Sequence, residues 1–412
     1  MEKRRVVVTG MGAVTPLGNG IEAFWKGIRS GACGIRPITR YDTSNQKVKL
    51  AAQAEVDPKA HLSGSEVRNM DRFALYALVA GREALKDSGL PAKDVDPDRC
   101  GTMVSSGIGG LPAIVREQER GLERGFDRVS PFFIPMSIAN MAAGRLAIES
   151  GFTGYCSCVV TACASGANAL GDAMRMIRHG YADVMLCGGA ESTVIPLAVG
   201  GFTAMRALHE GSDPNRASIP FDAARSGFVL GEGAGILILE EYGHARRRGA
   251  RIYAELSGYG ATCDAYHITA PEPAGRGAAR AMQLALSDAG LSPLDLGYIN
   301  AHGTSTELND KTETAAVKAV FGEGYRRIPV SSTKSMTGHM LGAAGGIEAI
   351  VCVLALREGF VPATINYCEP DPECDLDVVP NVGRRAELIH VMSNSLGFGG
   401  HNASLIFSNT GE

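Results

Sequence analysis

The sequence predicts an α/β layered fold with mostly parallel sheets. Segments typical of buried strands alternate with segments typical of amphipathic helices along nearly the whole chain. Glycine is abundant, at 52 residues, which indicates many tight turns and close backbone contacts. The chain has 412 residues and is 45% hydrophobic, which is enough for a large core divided among about two or three domains.

The first half opens on a predicted strand, RRVVVTG, which is followed by a predicted helix, FALYALVAGREALKDSG. Leu75, Leu78, Val79 and Leu85 lie on the apolar side of this helix, and Gly89 follows its end. The segments GTMVSSG, ADVMLCGGAES and AGILILEE are predicted strands. The polar stretch ARRRGAR ends this series near residue 250.

The second half has a similar order of elements but no recognisable sequence repeat. The helix GRGAARAMQLALSDAGL precedes the strand LGYINAH, and a further helix precedes IPVSSTK. A Gly-rich turn leads into the helix GIEAIVCVLALREG, and ELIHVMSNSLGFGGHNASLIF is predicted to form two strands joined by a Gly-rich turn. We therefore divide the chain into residues 1–250 and residues 251–412.

Composition and charge argue against several classes of partner. The formal net charge is only −4, which gives no basis for nucleic-acid binding. No apolar run of about 18 residues predicts a membrane span, and the N-terminus MEKRRVVVTG lacks the features of a signal peptide. The 10 scattered cysteines are best explained as reduced thiols, so we expect a cytoplasmic protein.

Two motifs resemble binding sites but predict none. VVVTGMGAVTP has a G-x-G after the first strand, yet Thr15 stands where a dinucleotide fingerprint requires its third glycine. Cys156 and Cys158 form a C-x-C with no second pair of zinc ligands nearby. Because alternate residues of a strand share a face, we expect these two cysteines to be buried structural thiols.

The segment VVTACASGANAL carries a candidate nucleophile, Cys163. A helix is predicted to begin at or just after this cysteine, and a helix N-terminus lowers the pKa of a thiol. The small neighbours leave room for close backbone approach, and the pattern resembles the strand–nucleophile–helix elbow of hydrolases. This segment alone supports a nucleophile and a buried packing thiol equally.

Later segments favour the nucleophile. His302 ends a predicted strand in NAHGTST, and Lys334 and His339 follow another in SSTKSMTGHMLGAAGG. Loops at strand ends gather at one face of an α/β sheet, so these side chains are expected near one another. The Gly-rich turn of SNSLGFGGHN can direct backbone N–H groups at a developing oxyanion.

The motifs TACASG, NAHGTST, SSTKSMTGH and NSLGFGG, in this order, resemble those of the thiolase superfamily. In particular, the chain is similar over nearly its whole length to the bacterial type II β-ketoacyl-acyl-carrier-protein synthases. The resemblance implies a duplicated five-layer αβαβα fold, a homodimer and a Cys-His-His centre. Relatives that start chains have Asn in the third position and thiolases have a second Cys, so His339 indicates the elongating class.

The resemblance also implies a mechanism that requires no cofactor. Cys163 would hold an acyl chain as a thioester, while malonyl on an acyl carrier protein loses its carboxylate. Neutral His302 and His339 would stabilise the resulting enolate, and the backbone N–H groups of Cys163 and Phe398 would form the oxyanion hole. Lys334 would support the histidines electrostatically, and Glu313 matches the carboxylate that pairs with this lysine.

Recognition residues follow from the same resemblance. Thr304 and Thr306 match threonines that bind the phosphopantetheine arm, and Ile108, Phe202 and the gate residue Phe398 match positions that line the acyl tunnel. The basic residues expected to dock the carrier protein are Arg68, Arg72, Arg128 and Arg206.

A structural cation is a further implication. Glu348 lies in the apolar segment GIEAIVCVLAL, where a buried carboxylate must be paired or bound to a cation. The matching monovalent or divalent ion ligands would be Glu348, Ser393, Asn394 and the carbonyls of Asn300 and Ala301. A plain hydrogen-bonded glutamate is an equally supported alternative.

The sequence therefore predicts an acyltransferase that lengthens acyl chains by two carbons in fatty acid biosynthesis. One alternative is a stand-alone ketosynthase of a polyketide or specialised-lipid pathway, which would use the same residues. A second is a non-catalytic chain-length-type partner subunit, which Cys163 and both histidines argue against. A cysteine hydrolase is disfavoured because it has no use for two oxyanion-type histidines.

Overall fold

The computed structural model describes residues 3–90 and 95–411. Strands from both halves of the chain form one continuous sheet path. The first half supplies, in chain order, β1 (Val6–Thr15), β2 (Cys100–Ser105), β3 (Cys156–Ser157), β4 (Val184–Glu191) and β5 (Gly233–Glu241). The second half supplies β6 (Ala254–Cys263), β7 (Tyr298–Asn300), β8 (Val330–Ser331), β9 (His390–Gly397) and β10 (His401–Ser408).

The two halves have the same strand topology. The first half has the order β3-β2-β4-β5-β1, and the second has the order β8-β7-β9-β10-β6. In each half the second strand in this order, β2 or β7, is parallel to both neighbouring strands. The fourth strand, β5 or β10, is antiparallel to both neighbouring strands. A short β1–β6 pairing at Val7–Val8 joins the halves.

The expectation of mostly parallel sheets is wrong. Along the five-strand path of each half, two pairings are parallel and two are antiparallel, and the pairings of the shorter strands are antiparallel. The reason is clearest in the second half, where β9 and β10 are joined by the tight turn at residues 398–400. Such a short connection permits only antiparallel pairing, because a parallel pair needs a long crossover.

The helices cover the sheets on both sides and fill the space between them. In chain order they are α1 (Ile21–Ser30), α2 (Gly64–Arg68), α3 (Arg72–Ser88), α4 (Leu111–Arg124), α5 (Phe133–Ser137), α6 (Met141–Ser150), α7 (Ser165–Arg178), α8 (Pro196–Ala204), α9 (Tyr242–Arg247), α10 (Arg276–Ala289), α11 (Glu307–Phe321), α12 (Lys334–Thr337) and α13 (Ala344–Glu358). Shorter strands lie at Gly18–Asn19, Arg36–Pro37, Leu50–Ala51, Phe360–Val361 and Arg384–Arg385.

Three hydrophobic cores separate five layers. Helices α3 and α6 pack on the outer face of the first half-sheet, and α10 and α11 pack on the outer face of the second. Helices α7 and α13 lie between the half-sheets in the central core. Every residue of α13 from Ala344 to Leu356 is buried, as expected of a helix that is apolar all round. The predicted αβαβα order is confirmed.

Glycines bring β1 and α3 into unusually close contact. A Cβ on Gly10 would lie 2.3 Å from the carbonyl oxygen of Ala84, and one on Gly12 would lie 1.9 Å from that of Ala80. The strand therefore packs directly on the helix backbone. Small residues of α3 make this contact, whereas Val79, predicted on the apolar side, is only half-buried.

The prediction of two buried thiols at the C-x-C motif is wrong. Cys156 is exposed and Cys158 is half-buried. The reason is that β3 is a two-residue edge strand with only β2 beside it, so its outer edge is uncovered. Among the described residues, no helix combines the length and the hydrophobicity needed to cross a bilayer.

We expect Gly12→Ala to destabilise the protein, because the added methyl group has no space against the backbone of α3. Overpacking of this kind costs on the order of 1–3 kcal/mol. The matched control is Gly144→Ala in α6, where the nearest atom to the new Cβ is 4.0 Å away. That change should stabilise the helix by about 0.5–1 kcal/mol. Melting temperatures that move together for both variants would contradict this account of the β1–α3 contact.

Candidate active site

Cys163 lies in a one-turn 3-10 helix, Ala162–Ala164, that continues directly into α7. Ala162 has φ +50°, a left-handed conformation that is strained for any residue except glycine. Ser165 holds this turn in place: its hydroxyl donates to the Ala162 carbonyl at 2.6 Å and accepts from the Thr161 N–H at 2.9 Å. The turn thus presents the thiol at the N-terminus of a helix, as the sequence predicts.

A cavity of about 690 Å³ opens onto Cys163. It gathers residues from distant parts of the chain, because the strand ends of both halves meet around it. The site residues predicted from the sequence that line this cavity are Cys163, His302, His339, Phe398, Thr304, Thr306, Ile108, Phe202 and Arg206.

The two histidines form a buried, nearly perpendicular pair. The ring centroids of His302 and His339 are 5.1 Å apart with an interplanar angle of 86°. Burial lowers the pKa of both imidazoles well below 6.5, and the nearby Lys334 ammonium acts in the same direction. Both rings are therefore neutral at neutral pH. Each Nδ1 is buried without a partner among the described residues, and both rings line the cavity.

Burial also dominates the chemistry of the thiol. It raises the pKa of Cys163 to about 12, although the Lys334 ammonium and the backbone N–H of Phe398 both favour the thiolate. The expectation that the helix N-terminus would leave this thiol with a lowered pKa is therefore wrong, because desolvation is the larger effect. In the resting protein Cys163 is a neutral thiol beside two neutral imidazoles.

Lys334 is paired with Glu348, not with Glu313. Its ammonium group donates to Glu348 Oε1, and both side chains are almost completely buried. The residue predicted as the metal ligand is thus the partner of the lysine. A buried ammonium requires a carboxylate, and Glu348 supplies it from α13.

Glu313 binds backbone groups instead. Its two carboxylate oxygens accept the N–H groups of His302 at 2.9 Å and Gly303 at 2.8 Å. Burial raises the pKa of Glu313 to about 6, while these two hydrogen bonds favour its ionised form. The carboxylate, which comes from α11, therefore fixes the loop that carries the first catalytic histidine.

Aromatic side chains form one wall of the cavity. Phe398, in the turn between β9 and β10, lies 6.5 Å from Phe202, measured between ring centroids. Phe202 lies 5.4 Å from Phe228, which is 5.3 Å from the ring of His339. Phe228 was not predicted from the sequence, where it lies shortly before the glycine-rich segment GEGAG and belongs to no recognised motif. The wall links the predicted gate to the histidine pair.

The threonines predicted to bind the pantetheine arm lie at the other side of the cavity. The hydroxyls of Thr304 and Thr306 are 3.0 Å apart, and Ser305 between them has φ +68°. Arg225 was not predicted from the sequence; it is 8% exposed and donates to the Thr306 carbonyl at 3.2 Å. This arginine keeps the threonine loop in a conformation that is otherwise strained.

The predicted docking arginines are all exposed. Arg68 ends α2, Arg72 begins α3, Arg128 follows α4, and Arg206 stands at the cavity mouth. Three further exposed arginines of α4 were not predicted from the sequence. They share one face of the helix with four-residue spacing, namely Arg116, Arg120 and Arg124. That spacing is visible in REQERGLER and is the signal that identifies them.

The predicted cation ligands are only partly available. Asn300 and Ser393 are paired across β7 and β9, and Asn300 Oδ1, Ser393 Oγ and Glu348 Oε2 are buried without hydrogen-bond partners. Asn394 Oδ1 instead accepts from a serine of β10, and Ala301 follows Asn300 at the strand end. The described part of the chain has no cluster of three His, Cys, Asp or Glu side chains suited to a metal. These three oxygens are of the chemical type that hard cations bind, and Glu348, which is also paired with Lys334, is the only anionic group among them.

Comparisons with known proteins agree with this geometry. Residues 3–245 match the family described as Beta-ketoacyl synthase, N-terminal domain, and residues 253–368 match its C-terminal domain. The 3-oxoacyl-[acyl-carrier-protein] synthase 2 of Synechocystis sp. is 52% identical over 409 residues, which is 99% of this chain and 98% of that protein. The protein of the same name from Staphylococcus aureus is 49% identical over 98% of each chain.

Solved structures give the same result. A type II polyketide synthase acyl-carrier protein in complex with its ketosynthase bound to the hexaketide matches with a TM-score of 0.93 and 37% identity, over 99% of this chain and 100% of that one. A β-ketoacyl synthase from Burkholderia phymatum matches with a TM-score of 0.92 and 36% identity, over 99% and 100% of the two chains. The cavity with its Cys-His-His centre and these full-length matches show that the chain belongs to the β-ketoacyl synthase family of condensing enzymes.

Proposed function

We propose that the protein joins malonyl-acyl carrier protein to an acyl chain held on Cys163 by decarboxylative Claisen condensation, and so lengthens acyl chains by two carbons in fatty acid biosynthesis. The observation that carries this proposal is the single cavity in which a buried thiol faces two neutral, perpendicular imidazoles. A carbon nucleophile generated there is protected from protonation, because the two imidazoles beside it are neutral.

The first half-reaction is a thioester exchange. Cys163 Sγ attacks the acyl thioester of the donor, the carbon–sulfur bond to pantetheine breaks, and the pantetheine thiol leaves with the proton that Cys163 loses. The Phe398 N–H already points at this sulfur, so it also lies close to the carbonyl oxygen that becomes negative in the tetrahedral intermediate. The aliphatic chain enters the apolar part of the cavity beside Ile108 and Phe202.

The second half-reaction uses the histidines. Malonyl thioester loses carbon dioxide, and the electron pair of the broken bond moves onto the thioester oxygen as an enolate. Nε2–H groups of His302 and His339 stabilise that oxygen by hydrogen bonds without transferring a proton. The enolate carbon then attacks the acyl group on Cys163, the thiolate leaves, and it regains a proton to restore the neutral thiol.

An acyl carrier protein is the partner we propose, with its pantetheine arm between Thr304 and Thr306. The paired hydroxyls suit the amides of such an arm, which both donate and accept hydrogen bonds. The carrier itself would dock on the exposed arginines Arg68, Arg72, Arg128 and Arg206, and on the α4 arginines beside them. Carrier proteins are acidic, so this surface has the complementary charge.

A homodimer through the edge of β3 is also proposed. The outer edge of this strand has unpaired backbone groups, and sheet edges of this kind pair readily with a second copy. Large apolar side chains are exposed in the segments on either side of it, including Phe126, Phe132, Ile134, Ile138, Tyr155 and Val160. Such side chains are typical of a surface that is covered in an assembly.

The polyketide alternative rests on the structural matches, which include a ketosynthase bound to a hexaketide. That protein is 37% identical to this chain, whereas the two fatty-acid-type synthases are 52% and 49% identical. The same catalytic residues serve both pathways. The higher identities favour simple acyl-chain elongation.

We expect Cys163→Ala to abolish condensation, because no other thiol lines the cavity among the described residues. Cys163→Gln should still decarboxylate malonyl-acyl carrier protein, since the histidines that stabilise the enolate are intact. Mass spectrometry of the carrier-bound products measures both activities, and an acyl adduct on Cys163 of the unsubstituted enzyme identifies the nucleophile. Elongated product from Cys163→Ala would overturn the assignment.

The pH dependence of decarboxylation provides a check on the histidines. Because their pKa values lie well below 6.5, lowering the pH from about 8 to about 6.5 should not protonate them and should leave Glu313, whose pKa is about 6, mostly ionised. The decarboxylation rate of Cys163→Gln should therefore stay level over this range. A rate that falls by half near pH 6.5 would show a histidine with an ordinary pKa and contradict the neutral pair.

For the docking surface we expect Arg124→Glu together with Arg128→Glu to raise KM for acyl-acyl carrier protein about tenfold. Turnover of the corresponding acyl-pantetheine should be unchanged, because that substrate does not use the surface. Arg326→Glu, an exposed arginine of the second half with 66% side-chain exposure, is the control. Equal effects on the carrier-bound and free substrates would argue against docking at α4.

For the dimer we expect a solution mass of twice the 43.2 kDa chain in sedimentation experiments. Ile134→Glu should shift the enzyme toward monomer, since it introduces a charge into the apolar surface, where Ile134 is 60% exposed. Leu294→Glu, equally exposed at 64% but in the second half, should leave the mass unchanged. A monomeric unsubstituted enzyme at micromolar concentration would refute the proposal.

A further inference from the structure

Glu191, the last residue of β4, is a fully buried carboxylate that the proposed mechanism does not use. Its Oε1 accepts from the Ser106 hydroxyl at 2.8 Å. Its Oε2 accepts the backbone N–H groups of Gly107 at 2.7 Å and Gly342 at 3.1 Å, and the N–H of Ile108 also donates to the carboxylate. Within residues 3–90 and 95–411 it has no salt-bridge partner.

The backbone segments that Glu191 holds are two walls of the acyl cavity. Gly107 and Ile108 line the cavity, and so does Leu341, which is next to Gly342. Leu341 has φ +46°, so its wall is held in a strained conformation. The walls meet closely behind the cavity, since a Cβ on Gly342 would lie 2.2 Å from the nitrogen of Gly107.

Burying a carboxylate in this position lowers the stability of the folded protein, which implies that Glu191 has a role other than stability. Burial raises the pKa of Glu191 to about 7, against the opposing effect of four hydrogen-bond donors. Its negative charge also disfavours the thiolate of Cys163. A neutral amide would avoid both effects, but it would offer one acceptor oxygen, where the carboxylate offers two, to the four donors.

We propose that Glu191 is a positioning residue that determines which acyl-chain lengths the enzyme accepts, by fixing the Gly107–Ile108 wall against the Leu341–Gly342 wall. The inference rests on the proposed function, because it assumes that the chain on Cys163 extends past Ile108. A short acyl group reaches Cys163 without passing between the walls. A long one must pass them, so only its transfer depends on their spacing.

The test is Glu191→Gln, which removes the negative charge and leaves one acceptor oxygen for the four donors that the carboxylate holds. Acylation of Cys163 by butyryl-, octanoyl- and hexadecanoyl-pantetheine is followed by mass spectrometry of the intact protein. We expect kcat/KM for hexadecanoyl transfer to fall about tenfold or more, and that for butyryl transfer to change by less than about twofold. Equal losses for all three chains, or no loss for any, would overturn the proposal.

Two further variants separate this role from a general structural one. Ser106→Ala removes one donor and leaves the carboxylate, so it should alter the length profile in the same direction, to a smaller extent, even if Glu191→Gln folds poorly. Glu83→Gln is the matched control, because Glu83 also accepts two backbone N–H groups, those of Ala13 at 2.9 Å and Ile21 at 2.8 Å, but lies outside the cavity. A length profile that changes in Glu83→Gln as much as in Glu191→Gln would count against the proposal.

Failure of the proposed function gives a different result. Malonyl decarboxylation by Cys163→Gln depends on the histidines and not on the acyl walls, so adding Glu191→Gln to that variant should leave the decarboxylation rate within about twofold. If the unsubstituted enzyme forms no acyl adduct with any chain and Cys163→Gln does not decarboxylate, the condensing function fails. If both activities are present and the length profile is insensitive to Glu191, only the positioning role fails.

Discussion

The site depends on the close contact between the N-termini of the two central helices, α7 and α13. A Cβ on Gly166 would lie 2.8 Å from the carbonyl oxygen of Gly342, and one on Gly345 would lie 2.3 Å from the nitrogen of Ala167. Only glycine permits helices to approach this closely. Because Cys163 immediately precedes α7 and His339 shortly precedes α13, this contact brings the nucleophile and one imidazole into the same cavity.

The duplication explains why the contact is symmetric. Helices α7 and α13 occupy equivalent places in the two halves, and each is entered through a 3-10 turn, Ala162–Ala164 in one and Leu341–Ala343 in the other. The first residue of each turn has a positive φ, +50° at Ala162 and +46° at Leu341. The same strained turn before a helix thus positions a nucleophile in one half and a residue of the cavity wall in the other. Strain of this kind persists only where the surrounding packing enforces it.

Features with a local signal were predictable from the sequence, and features that depend on burial were not. The periodic helices, the strand ends that carry His302 and Lys334, and the turn at Phe398 all follow from residue patterns and motifs. The raised pKa of Cys163 and the choice of Glu348 over Glu313 as partner of Lys334 depend on which groups the packing of distant layers brings together. Cys156 was misjudged for the same reason, since strand alternation gives the face of a residue but not whether anything covers it.

The charged groups around the cavity position the reacting groups and do not take part in the reaction. Cys163, His302 and His339 are all neutral because burial disfavours their charged forms. Neutral groups can stabilise an enolate without protonating it, but they need fixed geometry because they bind it only through short, directional hydrogen bonds. Carboxylates that accept backbone N–H groups supply that geometry, on the histidine loop in one case and on the acyl walls in the other. Burial thus gives the reacting groups their neutrality and makes each buried carboxylate a strong anchor for the backbone around them.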